Sequence, residues 1–307
     1  VLRGLEDAGI EPDIVCGTSM GAVVGAAYAA GELQAFERWV DGLDRRRIAG
    51  FLDVGLRGGV IRARRVFDAL AREVSDRPIE TLGIPFAAVA TDLAAGQEVW
   101  LKSGSMFEAL RASVALPGLI SPMQIDGRWL VDGGLVNPVP VSVCRALGAD
   151  FVIAVDLNTT LVGRRMRAVE RDDDGPMSAV SSPAVDAPAV DGVRAWIQGL
   201  SGELRERFLG DTADDAERDG APSLYDVVAN SINIMQVRVT RSRMAGDPPD
   251  LAVAPQLEDF ALFDFHRGQE AMDEGRRAVD RALTSVGWHD AKTHSGSKAP
   301  VGREEDR

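Results

Sequence analysis

Gly17-Thr18-Ser19-Met20-Gly21 limits what this chain can fold into more than any other stretch. It follows the apolar run Ile14, Val15, Cys16 and precedes Ala22 to Ala30, a segment of almost nothing but small and aliphatic residues. That order reads as strand, sharp turn, helix. A Gly-x-Ser-x-Gly pentapeptide in this setting is a nucleophile elbow: the serine occupies a strained turn that the flanking Gly17 and Gly21 accommodate, and its hydroxyl stands at the head of a helix. The first helical N–H groups, that of Met20 among them, offer partial positive charge where an oxyanion would form. The pentapeptide alone is a weak signal, and its placement between strand and helix gives it weight.

The segments around the elbow alternate. Val1, Leu2, Leu5 and Ala8 fall at helical spacing and stop at Gly9, with no capping residue ahead of them. Residues 33–43 and 66–74 keep helical periodicity, and 84–91 and 97–102 read as strands about a turn at Gly96. Ser105 with Glu108 forms a capping box that opens a helix to about Val114, ended by Pro117 and Gly118. Residues 123–125 and 128–131 flank Asp126-Gly127, the dipeptide of a tight hairpin turn. A helix over 139–147 and a buried strand over 151–155 follow. This alternation predicts an α/β fold with a mostly parallel central sheet and helices on both faces. A strand feeding an elbow sits inside such a sheet, which calls for a further strand ahead of the first helix that this sequence does not contain.

Composition then sets boundaries. With 307 residues and 45% hydrophobic content, one large domain with appendages is expected. Residues 1–158 form the core. Residues 159–191 carry runs of Arg and Asp, prolines and no sustained periodicity, 193–208 allow a helix and 210–220 are again polar and acidic, so 159–221 reads as a flexible acidic insertion or linker, and 284–307 as a disordered tail. Between them, 222–283 carries a second capping box at Pro222-Ser223-Leu224-Tyr225-Asp226, a helix to about Met244, a short strand at 251–253 and a closing helix over 265–283, and completes the same domain. The Asp44-Arg45-Arg46-Arg47 stretch with Phe51 and Leu52 allows a lipid-facing surface, although a solvated helix and loop is the favoured reading.

The net charge of -13 argues against a nucleic-acid partner, because phosphate binding needs a basic surface. Cys16 and Cys144, the two cysteines, fall in apolar segments and read as small core residues rather than a disulfide framework, which fits the cytoplasm. No apolar run of about 18 residues is present to span a membrane.

A serine nucleophile needs a base within hydrogen-bond reach. The chain has three histidines: His289 and His294 in the expected tail, and His266 at the start of the last helix, so a Ser-His-Asp triad is disfavoured. Asp132 ends the apolar strand Trp129-Leu130-Val131 and precedes Gly133, Gly134 and the loop Leu135-Val136-Asn137-Pro138. Position alone leaves two readings open, a base at a strand end or a turn-forming Asp before Gly. Asp92 is read as a turn or cap residue.

The elbow, the segment Ala112-Ser113-Val114-Ala115-Leu116-Pro117-Gly118 and Asp132-Gly133-Gly134, in that order, resemble a bacterial patatin-like phospholipase, in the branch similar to the catalytic domain of neuropathy target esterase. Ile234-Met235-Gln236 and Pro248-Pro249-Asp250-Leu251 extend the likeness more loosely. The resemblance implies a patatin-like fold and a Ser-Asp dyad, with Ser19 as nucleophile, Asp132 as base and Gly133 and Gly134 as the supporting loop. It implies a lipid or acyl-ester substrate of phospholipase or lysophospholipase type, peripheral membrane contact, and neither metal nor cofactor. It also implies a glycine-rich loop that supplies oxyanion donors between the first strand and the first helix, and this sequence starts after where that loop should lie. Met20 N–H is the donor that remains. Two alternatives stand beside this reading: a non-catalytic regulatory or scaffold protein without the oxyanion hole, and an α/β-hydrolase esterase with a histidine triad.

Overall fold

The computed structural model describes residues 1–44, 46–48, 64–158, 224–257, 260 and 264–288. The expected insertion at 159–221, the capping box at 222–223, most of the arginine-rich stretch after Asp44, and the tail beyond 288 lie outside the described residues. Helix α1 (Leu2–Asp7) leads to β1 (Val15–Thr18), α2 (Met20–Ala29), α3 (Leu33–Asp41) and α4 (Arg64–Leu70). Then come β2 (Phe86–Asp92), β3 (Glu98–Leu101), α5 (Met106–Ser113), β4 (Met123–Ile125), β5 (Arg128–Asp132), α6 (Val141–Ala146) and β6 (Ile153–Val155). Helix α7 (Leu224–Gly246), β7 (Leu251–Val253) and α8 (Gly268–Ser285) complete the described chain.

The local signals act as their chemistry requires. Gly9, Gly31 and Gly148 take positive φ after α1, α2 and α6. The Ser105 hydroxyl accepts the Glu108 N–H at 3.1 Å and caps α5. Asp126 (φ 49°) and Gly127 (φ 76°) make the primed turn that joins β4 to β5. Asp92 closes β2 by accepting the N–H groups of Ala94 and Ala95 on Oδ1, so it is a turn residue.

The fold is α/β, but the sheet is mixed rather than mostly parallel. Strand β1 runs parallel to β2, while β3 and β5 pair antiparallel with β2 and β4 pairs antiparallel with β5. A separate parallel pair joins β6 and β7. Helix–strand alternation predicts parallel neighbours, yet β2 to β3 and β4 to β5 are joined by short turns, and a short turn can only reverse the chain. Among the described residues β1 is paired on one edge only.

One face of the sheet (Ala88, Ala90, Val99, Leu101, Leu130) packs on α2 and α5 through Ala22, Ala26, Met106 and Leu110. Helix α2 is apolar on every side because β1, β2, α3 and α5 surround it. The opposite face buries Ala87 and Val89 against Val143 of α6. Cys16 packs against this cluster, and both Cys16 and Cys144 are free and half-buried. A third cluster, Leu5 with Leu251, Val253, Val279 and Leu283, seats α1 and α8 on the β6–β7 pair. Full burial of a Leu or Val of this kind is worth about 1.5–3 kcal/mol. Asp250 sets that pair in place, accepting the Val152 N–H and the Arg145 guanidinium, each at 2.7 Å.

Candidate active site

Strand β2 brings the site together. Thr18 lies opposite Val89 in the β1 register, and Asp132 lies opposite Ala90 in the β5 register. Residues 88–91 of β2 spend their other edge on β3, so β1 and β5 share one edge and their C-terminal ends meet between Val89 and Ala90. The residue after β1 is Ser19, and the last of β5 is Asp132. The Ser19 hydroxyl donates to Asp132 Oδ2 at 2.7 Å.

Ser19 has φ 55° and ψ −126°, a conformation that non-glycine residues rarely adopt. The turn folds the first residues of α2 back over Gly17, where a Cβ would lie 2.4 Å from Ala22 N and from the Gly21 carbonyl. Only glycine fits there. The expectation for Gly21 needs correction: a Cβ at Gly21 would meet nothing within 4 Å, and its φ is not in the left-handed region. Met20 is the first residue of α2 and Gly21 the second, so their N–H groups have no acceptor within the helix.

Asp132 is 1% exposed. Its Oδ1 accepts the Gly134 N–H at 2.7 Å, its backbone N–H donates to Ala115 O at 3.0 Å, and its carbonyl accepts the Thr91 hydroxyl at 2.8 Å. Burial raises its pKa from 3.8 to about 6, against the opposing pull of the Gly134 N–H and the Ser19 hydroxyl. Gly133 lies against β2 so closely that a Cβ would come within 2.3 Å of Val89 O, and at Gly134 a Cβ would lie 2.4 Å from the Gln236 amide nitrogen. These two glycines allow the chain to turn under Asp132 while α7 packs over it.

Around this pair stand residues to which the sequence assigned no role. The Ser113 hydroxyl accepts the Ser19 N–H at 2.9 Å and donates to Val89 O at 2.7 Å. Thr18 donates its hydroxyl to Asn137 O at 2.7 Å, and the Asn137 amide donates to Glu98 at 2.8 Å. Their signal was present only as membership of the segments 112–118 and 132–138, because side chains separated by 94 and 119 positions carry no shared periodicity.

His266 lies on a 3-10 turn (Phe265–Arg267) against α3 and α8, with Nδ1 3.9 Å from Asp264. His289 and His294 are outside the described residues. The described acceptor of the Ser19 hydroxyl is a carboxylate, not an imidazole. No helix among the described residues is long and apolar enough to cross a membrane.

Comparison with known proteins matches residues 1–145 to the family described as patatin-like phospholipase. An uncharacterized NTE family protein of Mycobacterium tuberculosis is 34% identical over 312 residues, covering 92% of this chain and 86% of that protein, and one of Mycobacterium bovis matches equally. Human patatin-like phospholipase domain-containing protein 6 is 33% identical over 167 residues, 52% of this chain and 12% of that protein.

Proposed function

Because the chain belongs to the patatin-like phospholipase family, a family of lipid hydrolases, we propose that it hydrolyses carboxylic esters of phospholipid or lysophospholipid type with Ser19 as nucleophile and Asp132 as base. The observation that carries this reading is the 2.7 Å hydrogen bond from the Ser19 hydroxyl to a carboxylate that burial has made more basic. A carboxylate at its ordinary pKa is a poor acceptor for a hydroxyl proton, and one held at about 6 is both ionised at neutral pH and better matched to the task.

The reaction has two halves. Asp132 accepts the Ser19 proton as Ser19 Oγ attacks the ester carbonyl, and the tetrahedral oxyanion forms beside the start of α2, where Met20 N–H is the donor offered by the elbow. The alcohol or lysolipid departs with the proton that Asp132 held. Water then attacks the acyl-serine, Asp132 again taking its proton, and the fatty acid leaves as Ser19 regains its hydrogen. Neither half calls for a metal or cofactor. A peripheral contact with a membrane surface would deliver the substrate.

The testing experiment is covalent labelling by a fluorophosphonate probe, read by intact mass, on the full chain and its Ser19→Ala and Asp132→Asn variants. One adduct that disappears in Ser19→Ala and forms far more slowly in Asp132→Asn supports the dyad. No adduct on folded protein would favour a scaffold that keeps the fold without the activity.

A further inference from the structure

We infer that Ser113 is a positioning residue for the nucleophile: its hydroxyl holds the backbone of Ser19 in the strained conformation that aims Oγ at Asp132. The inference rests on the Ser-Asp reading and adds to it a residue that touches neither substrate nor the reacting atoms.

Ser113 is the last residue of α5 and is completely buried. A serine hydroxyl has one hydrogen and two lone pairs. Here the hydrogen goes to Val89 O at 2.7 Å, so a lone pair must face the Ser19 N–H, which donates to it at 2.9 Å. Val89 is the residue opposite Thr18 in the β1 register. The hydroxyl is therefore a link between β2 and the elbow, at the point where the ladder of β1 stops and φ turns positive. A strained dihedral persists where its surroundings over-determine it. At Ser19 the constraints are the Ser113 link before Cα and the first turn of α2 after it, where Ala22 and Val23 both donate to Ser19 O.

Two residues later the same turn holds the other partner, since Ala115 O accepts the Asp132 N–H at 3.0 Å. Residues 113–115 thus fix the backbones of both Ser19 and Asp132. The Ser19 N–H, already spent on Ser113, is not available to an oxyanion, which leaves Met20 N–H as the elbow's donor.

The test uses the full chain and its Ser113→Ala and Ser113→Cys variants, with active sites counted by fluorophosphonate titration and turnover measured on p-nitrophenyl butyrate. Loss of the link should lower kcat per titrated site about 10- to 100-fold, because misplacement of a reacting group by about an ångström costs that much. KM should stay within about twofold of the parent value, since no substrate contact is removed. The acid midpoint of the pH profile should move upward, because a displaced Ser19 hydroxyl no longer offsets the effect of burial on Asp132. Ser113→Cys, close in volume but a weak acceptor, should show the same loss in kcat per site and decides the matter if Ser113→Ala does not fold. Parent-like kcat per titrated site, with lost activity explained by fewer folded molecules, would overturn the inference and leave Ser113 as packing. An unlabelled parent chain would instead remove the Ser-Asp reading, and this inference with it.

Discussion

The hydroxyl of Ser19 and the carboxylate of Asp132 meet at 2.7 Å although 113 positions separate them in the chain. The contact follows from strand register. Strands β1 and β5 enter the same edge of β2 from opposite directions and end at adjacent residues, Val89 and Ala90. Whatever follows β1 must face whatever ends β5. Ser113 and Ala115 then tie the two ends to α5, so the pair is fixed by backbone contacts before the side chains meet.

Activity should follow the ionisation of Asp132. With its pKa raised to about 6 by burial, kcat/KM should climb as pH rises through that value and level off above it. Asp132→Asn should lower kcat by about 10²–10⁴-fold, the usual contribution of a positioned base, and should abolish that limb. A pH–rate series on both proteins checks this, and an unchanged limb in the variant would remove Asp132 as the base.

The same shift sets a cost in stability. A carboxyl whose pKa is 3.8 when unfolded and about 6 when folded binds its proton more tightly in the folded state. Its contribution therefore weakens as pH rises from about 4 to 6, and above that the ionised form costs up to about 3 kcal/mol. Asparagine can accept the Gly134 N–H without carrying a charge. Asp132→Asn should be the more stable protein at pH 7–8 and lose that advantage near pH 4, as read by urea unfolding at both pH values. Equal advantage at both would mean that charge burial is not the cause.

The glycines of the site should separate by contact. Gly17→Ala and Gly133→Ala place a Cβ against backbone atoms at 2.4 and 2.3 Å and should cost at least about 2 kcal/mol. Gly21→Ala meets open space within a helix and should raise stability by about 0.5–1 kcal/mol. Thermal melts of the three variants check the order, and equal losses would contradict it.

His266→Ala should leave esterase turnover within about twofold of the parent value, because the serine's described acceptor is Asp132. A fall of several orders of magnitude would instead bring back the histidine-triad alternative.

Much of this was written locally. Hairpin dipeptide Asp126-Gly127, cap Ser105, stop residue Gly9 and the elbow itself are signals within a few residues, and the structure places each where those signals put it. Strand direction was less legible: alternation suggested parallel neighbours, and the turns after β2 and β4 made the sheet mixed. The Gly21 requirement was overstated, since a pattern of two glycines does not say which of them is crowded.

The sequence by itself determined an α/β chain with a serine at a strand-to-helix turn and an aspartate before two glycines, because those depend on residue size, φ and period over short spans. Only the tertiary structure decided that Ser19 and Asp132 share an edge of β2, that burial makes that aspartate basic, and that Ser113 closes the elbow from a third element. Register, burial and the pairing of distant hydrogen-bonding groups are properties of packed surfaces, and no local stretch of sequence contains both partners.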